Sequence, residues 1–365
     1  MNDHLRRLTL LLTALFCLLA GITTAQPEPT RPEPAPPSTH AYRINQSLGR
    51  GINFGNTLDA PSLGAWGLDY HPWMFDVAQR AGFDSVRLPV RWSAHADEHR
   101  PYRVSPAIFK LVDDAIREAR RRGMPVVLNT HHYDEIFEDP AAHEDRLVSI
   151  WQQVAARYRS VPDELLVFEL LNEPHNELTP ERWNELLPRL VETVRKQNPT
   201  RPVMIGPGNY NSIAALDKLE LPSDDHLIVS VHFYNPFEFT HQGAEWVGPR
   251  SNDWLGREWT GSDDERAELR KSFERAAAWA VEKGVPLNVG EFGAYSKADT
   301  ASRARWTRAV RDLCEELGMS WHYWELAAGF GVWNPSQQRF NEEIKQALLG
   351  EGPLPDSPPS PAEAP

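Results

Sequence analysis

Two glutamates stand where an apolar, strand-like run gives way to polar residues. Glu173 lies in FELLNEPH (Phe168–His175) and Glu291 in VGEFGAY (Val289–Tyr295). Two carboxyl groups flanking one bond are what glycoside hydrolysis needs, one held protonated near neutral pH and the other ionised. The neighbours suit that use. Asn172 can donate a hydrogen bond to a sugar 2-hydroxyl, a contact that strengthens in the transition state, or it can cap a loop. Arg87 and Tyr234 can hydrogen-bond Glu291 and keep it ionised. Arg87 can equally pair with Glu169, on the strand face of Glu173, and the two pairings are compatible. Acidic pairs also bind metals, but the expected histidine companions are wrongly spaced. His131 and His132 are adjacent on a strand end and are predicted to point to opposite sides, whereas a metal site wants two histidines on one face. No metal and no cofactor are expected.

Aromatic residues are the second signal. There are 13 tryptophans, and flat rings stack on the apolar face of a pyranose, although most tryptophans in a barrel serve packing. Trp324 ends the last strand-like run beside the proposed site and Trp246 lies in the long loop after the sixth, and both are expected sugar platforms. Trp254, Trp259 and Trp333 fall in loops, where lining an outer subsite and packing are both open to them. Trp279 and Trp306 lie in helical runs and belong to the core.

These residues need a scaffold that brings strand ends together. Short apolar runs are predicted as strands at Gly51–Phe54, Ser85–Pro89, Pro125–Thr130, Leu165–Leu171, Val203–Ile205, Leu227–Val231, Pro286–Gly290 and Met319–Tyr323. Between them lie helix signals. Ser105–Arg122 stops at Gly123, Thr179–Gln197 opens with a Thr-Pro cap, Arg266–Lys283 stops at Gly284, and Thr300–Leu317 stops at Gly318. Eight strands, each followed by helical sequence, predict an α/β fold, a single-domain (β/α)8 TIM barrel. No G-x-G-x-x-G follows the first strand, which argues against a dinucleotide-binding sheet. In a (β/α)8 barrel, reactive groups gather at the C-terminal strand ends. Arg87, His131, His132, Asn172, Glu173, His232, Tyr234, Glu291 and Trp324 all fall in or just after such runs.

Composition narrows the partners. A chain of 365 residues with a net charge of -13 has no electrostatic reason to seek nucleic acid or anionic lipid. A neutral polysaccharide is compatible with it, and a monomer is expected. Of the two cysteines, Cys17 lies in the N-terminal apolar run and Cys314 reads as a small buried helix residue, so no disulfide framework is available. Residues 1–25 combine Arg6 and Arg7, an apolar run from Leu8 to Ile22, and Thr23-Thr24-Ala25. That order predicts a signal peptide and secretion, extracellular or periplasmic, with no membrane attachment after cleavage, and an uncleaved membrane anchor is the alternative, though the run is short for a full span. A Pro-rich linker is expected over 26–40, the catalytic domain over 41–349 and a Pro-rich disordered tail over 350–365.

Seven ordered segments resemble the cellulases of glycoside hydrolase family 5. They are RGINFGNTLDAP (Arg50–Pro61), VRLPVRW (Val86–Trp92), VVLNTHHYDE (Val126–Glu135), FELLNEPH, VSVHFYNPFEFTHQGAEW (Val229–Trp246), VGEFGAY and YWE (Tyr323–Glu325). The resemblance implies a (β/α)8 barrel, a retaining double displacement and no metal. Glu173 looks like the acid/base and Glu291 like the nucleophile. Arg87, His131, Asn172, His232, Tyr234 and Trp324 fall on other recurrent active-site positions. The NPFEFTHQGAEW loop is shared with bacterial enzymes acting on β-glucans and β-mannans, which implies that His241 and Trp246 border the cleft and that Asn56, Pro89 and His132 contact sugar. Asp59 stands where such relatives carry a glutamate, so a mannan-binding contact is in question there. The expected activity is an endo-β-1,4-glucanase, with β-mannan as a candidate second substrate and β-mannanase or xyloglucanase of the same family as the alternative. A non-catalytic glycan-binding barrel and a metal-dependent hydrolase are the rivals from other classes.

Overall fold

The structure, a computed structural model, describes residues 39–350. The expected signal peptide, most of the expected linker and the expected tail after Gly350 lie outside these residues. The linker was expected to reach residue 40. Instead Thr39 caps a helix, α1 (His40–Leu48), by accepting a hydrogen bond from the Tyr42 amide.

Eight parallel strands close on themselves in chain order: β1 (Arg50–Asn53), β2 (Ser85–Val90), β3 (Val126–Thr130), β4 (Leu166–Glu169), β5 (Val203–Ile205), β6 (Leu227–Phe233), β7 (Leu287–Phe292) and β8 (Ser320–Tyr323). The long helices are α2 (Trp73–Ala81), α3 (Pro106–Arg122), α4 (Pro140–Tyr158), α5 (Pro180–Arg195), α6 (Asp263–Lys283), α7 (Thr300–Glu316) and α8 (Glu342–Leu349). The expected (β/α)8 barrel is present, with one departure: only short helical turns, the longer at Ile213–Lys218, follow β5. A small hairpin, β9 (Trp333–Asn334) with β10 (Arg339–Phe340), follows β8. Among the described residues no helix is long and apolar enough to cross a membrane.

Local chemistry sets the helix ends. Ser105 and Thr179 cap α3 and α5, each with proline in the first turn. Helix α6 begins three residues earlier than its apolar pattern suggests. Ser262 and Glu265 form a reciprocal capping box that satisfies the first amides.

Alternation divides each strand between two environments. On β3, β4, β5 and β6 the residues Leu128, Phe168, Val203 and Val229 join the main core under the helices. Their neighbours Val127, Val167, Met204 and Ile228 point inward, where they meet Ala41, Ile44 and Leu48 of α1. Thus α1 lays one apolar face, at helical spacing, against the interior of the barrel. Beyond this apolar layer the inward positions turn polar: Arg87, Asn129, Glu169, Ser230 and Asn288 are all buried.

The pairing of β6 with β7 slips by one residue. Val231 pairs with Val289, but His232 pairs with Glu291, so Gly290 is left over as a bulge.

Candidate active site

The site is built around Arg87 on β2, which is fully buried. Its Nε and Nη2 donate to the two oxygens of Glu169 at 2.6 and 3.0 Å. Its Nη1 donates to Glu291 Oε1 at 2.7 Å and to Asn53 Oδ1 at 2.8 Å. The second Nη2 hydrogen goes to Asn172 Oδ1 at 2.8 Å. All five N–H donors of the guanidinium are therefore used, and both pairings open to Arg87 in the sequence occur together. The two carboxylates hold Arg87 in its charged form.

Glu291 also accepts a hydrogen bond from the Tyr234 hydroxyl, at 2.9 Å on Oε2. Burial pushes the Glu291 carboxyl up, against His232, Arg87 and the Tyr234 hydrogen bond. Burial likewise raises Tyr234, so its hydroxyl stays a donor. Glu173 has no guanidinium contact and sits at the mouth with its side chain 24% exposed. Burial raises its pKa to about 7; the Glu169 charge adds to this, and His175 and Arg87 oppose it. Of the two, Glu291 holds the charge because Arg87 touches it, and Glu173 holds the proton.

His232 lies between them. Its Nδ1 is 2.7 Å from Glu173 Oε1 and 3.6 Å from Glu291 Oε2. Burial lowers its pKa to about 4, which keeps the ring neutral. The Asn211 amide N–H faces Nε2 at 3.4 Å, which makes Nε2 the acceptor and leaves the Nδ1–H to donate to Glu173. One oxygen each of Glu173 and Glu291 and a nitrogen of His232 all lie within 4.8 Å of one another. Glu173 itself holds a positive φ of 50°, an uncommon backbone state for a residue with a side chain and one often found at functional sites.

The rings expected as platforms lie close by. Trp324 stacks on His131 at 5.4 Å and 8°, over Gly55, where any Cβ would come within 2.6 Å of the indole. The His131 Nδ1–H donates to Asn129 Oδ1 at 3.0 Å, since an amide oxygen can only accept. Trp246 is 60% exposed and packs edge-on to Tyr295 and against Phe330. His241, stacked on Phe237, also meets Tyr234. Asn56 is partly exposed at the end of β1.

Several expectations need correction. His131 and His132 do not point apart: their rings meet at 4.2 Å, and with Asp59 they could offer three ligand atoms within 4.8 Å. Side-chain alternation needs an extended strand, but β3 ends at Thr130 and His132 has a φ of 54°. Asp59 is fully buried, with its oxygens accepting from the amides of Asn56 at 3.0 Å and Thr57 at 2.7 Å. It shapes the loop after β1 and offers no surface to a sugar. Pro89 is buried in the wall of β2. Trp254 and Trp259 are only 8% and 1% exposed. The loop after β6 folds back on itself through Gln242, which bonds Phe239, Arg257 and Gly256, and this encloses both rings.

Some residues support the site in ways that residue type and position do not show. Asn53 and Asn129 hold Arg87 and His131, and they were legible only as inward strand positions. Glu325 is buried and accepts from the amides of Ala328 and Phe330, which fixes the Phe330 ring beside Tyr234 and Trp246. Tyr210 stacks on His175 at 4.2 Å, and His175 Nδ1 bonds the Glu173 carbonyl at 2.5 Å. Nothing in the local sequence marks Tyr210 as a neighbour of Glu173.

Comparison with known proteins gives one answer. The family model for cellulase, glycosyl hydrolase family 5, matches residues 49–329. Endoglucanase H of Acetivibrio thermocellus is 32% identical over 332 residues, covering 89% of this chain; the chain spans 35% of that relative's length. The structure of Thermotoga maritima Cel5A in complex with cellobiose is 44% identical, with a TM-score of 0.83 over 85% of this chain and 100% of that one. The same values hold for Cel5A in complex with mannotriose. A closed barrel with two carboxyl groups at its mouth, matched along most of its length by this family model, leaves one assignment: the chain belongs to the cellulase family, glycosyl hydrolase family 5.

Proposed function

We propose that the chain is a secreted, retaining endo-β-1,4-glucanase in which Glu173 is the acid/base and Glu291 the nucleophile. The observation that carries this reading is the asymmetric carboxyl pair. Retaining glycosidases place the two groups about 5 Å apart, whereas inverting ones leave about 6.5–9.5 Å for a water. Oxygens of Glu173 and Glu291 approach within 4.8 Å. Only Glu291 touches Arg87, and Glu173 is the more open of the two to solvent, with a pKa raised to about 7.

The chemistry follows from those positions. A Glu291 oxygen attacks the anomeric carbon while the Glu173 carboxylic acid passes its proton to the departing glycosidic oxygen. A glycosyl ester on Glu291 and a Glu173 carboxylate result. Glu173 then takes a proton from water, whose oxygen attacks the same carbon and frees Glu291, with net retention. Arg87 and Tyr234 keep Glu291 ionised and aimed. The neutral His232 gives its Nδ1–H to Glu173, which leaves the other Glu173 oxygen to carry the acid proton. Asn172, its carbonyl held by Arg87, has its amide N–H groups for a sugar 2-hydroxyl.

Endo action is supported by exposed aromatic faces in the segments that follow the strands: Trp66 after β1, Tyr210 after β5, and Phe237 and Trp246 after β6. Tyr210 lies on the Glu173 side through His175, and Trp246 lies beyond Tyr234 and Phe330. Rings on both sides of the pair suit a chain that continues past the cut. A second substrate, β-mannan, is favoured by the likeness to Cel5A, whose structure holds mannotriose. Secretion rests on the order of charges and apolar residues in positions 1–25.

Exogenous nucleophiles test the division of labour. Glu291→Ala should lose turnover, and added azide should give a glycosyl azide of inverted configuration. Glu173→Ala should keep activity on an aryl glycoside with a good leaving group and give an azide product of retained configuration. Swapped behaviour would reverse the assignment, and inverted products from the unaltered enzyme would refute retention. Assays on carboxymethyl cellulose, barley glucan, glucomannan and galactomannan then rank the substrates.

A further inference from the structure

Away from the carboxyl pair, a groove of about 870 Å³ opens between α2 and the β9–β10 hairpin. Its walls include Leu68, His71, Trp73, Gln79, Trp333 and Gln338. Trp73 and Trp333 are partly buried and pack against the main core, which fixes their rings while part of each faces the groove. His71 lies near-parallel to Trp73 at 6.4 Å and 22°. Phe340 holds Trp333 edge-on at 4.8 Å. Rigid indole faces with amide groups beside them form the surface on which a pyranose chain stacks and hydrogen-bonds.

Two further observations point to a glycan. First, the groove begins at Gly67, the residue after Trp66, and Trp66 meets His132 at the catalytic mouth, 5.4 Å between rings. One loop therefore supplies an aromatic rim to the mouth and a wall to the groove. Second, the charges do not suit a polyanion. Arg80 shares the groove with Asp69 and Asp76, and Asp76 already holds Arg122.

We propose that this groove is a second glycan-binding site, which takes a neutral β-linked polysaccharide chain outside the catalytic mouth. The proposal rests on the reading of the mouth as a glycanase site. The site holds polymer near the enzyme and contributes nothing to bond cleavage, so short substrates do not sense it.

The test uses the full chain in native gels containing barley β-glucan, beside hydrolysis of cellotetraose and of the polymer. Trp73→Ala and Trp333→Ala remove the rings. Because both rings also pack on the core, His71→Ala with Gln79→Ala alters the groove at exposed positions only. Losing an aromatic stacking contact should weaken gel retardation and kcat/KM on polymer by about fivefold, with cellotetraose turnover unchanged. Retardation and polymer kinetics equal to the unaltered enzyme in all three variants would overturn the proposal, as would the absence of any retardation of the unaltered enzyme. If the unaltered enzyme is retarded but cannot cleave cellotetraose or polymer, the glycanase reading fails; retardation lost in the variants would then still uphold the groove.

Discussion

Glu291 lies two residues beyond Val289 on β7, yet the two side chains face opposite sides of the strand. Val289 is packed in the core beneath the helices, and Glu291 bonds Arg87 and Tyr234 inside the mouth. Regular alternation would put both on one face. The bulge at Gly290 shifts the phase by one residue. A side chain at position 290 would place its Cβ 2.4 Å from Ser230 Oγ and 3.0 Å from His232 Nε2.

Gly290→Ala should therefore disturb His232 and Glu291 together. We expect kcat to fall by about 10² or more while the protein stays folded by circular dichroism. Near-normal kcat would mean that the neighbours can yield and that the glycine is not required for alignment.

Arg87→Lys keeps the charge and loses the fork. A lysine offers three donors where the guanidinium uses five. Glu169 or Glu291 would then be left short of a partner in a buried place. Breaking such a network costs about 3–5 kcal/mol. Thermal or urea unfolding should register that loss, and residual kcat should drop by at least about 10². Unaltered stability would show that water or a neighbour replaces the guanidinium bonds.

The pH profile follows from the pair. Activity needs protonated Glu173 and ionised Glu291. Burial raises Glu173 to about 7, so kcat/KM should fall as pH rises through that value. The acidic limb should lie above the ordinary glutamate range, since burial raises Glu291 too. Tyr234→Phe removes a hydrogen bond that favours ionised Glu291 and should move the acidic limb upward. A profile flat through pH 7 would contradict the role given to Glu173.

A metal should be dispensable. The ligand atoms of Glu173, His232 and Glu291 are close enough to hold one. However, Arg87 already occupies Glu291 Oε1, and the Nδ1 of His232 points a hydrogen, not a lone pair, at Glu173. Dialysis against a strong chelator should leave turnover intact. Activity lost and then restored by a divalent ion would reverse this.

Acid stability should depend on His322, buried between Ser85 and Asn288. Burial lowers its folded pKa to about 3, while in the unfolded chain it is near the ordinary value of about 6.5. The unfolded chain thus takes up a proton that the fold refuses. Stability from this group is complete above about pH 6.5 and declines as pH falls toward 3. His322→Gln should lower Tm near neutrality, and the gap to the unaltered protein should shrink on acidification. A constant gap would rule out this linkage.

The sequence by itself determined the barrel and the residue types at its mouth. Buried parallel strands read as apolar runs, and caps such as Thr179-Pro180 and stops such as Gly123 mark helices, because both signals depend on near neighbours in the chain. Glu173, Glu291, Arg87 and Trp324 were legible as groups at strand ends. The tertiary structure decided how they are used. Arg87 bridges Glu169 and Glu291 at once, a matter of distances between three strands that no single segment contains. The inward turn of Glu291 depends on the pairing of β6 with β7, and the rings of His131 and His132 meet because β3 has ended before them. Asp59 and Trp259 resemble site residues in sequence, but local amides and a folded-back loop bury them. Residue type and spacing encode local conformation; which face a side chain takes, and what it touches there, is set by contacts between segments far apart in the chain.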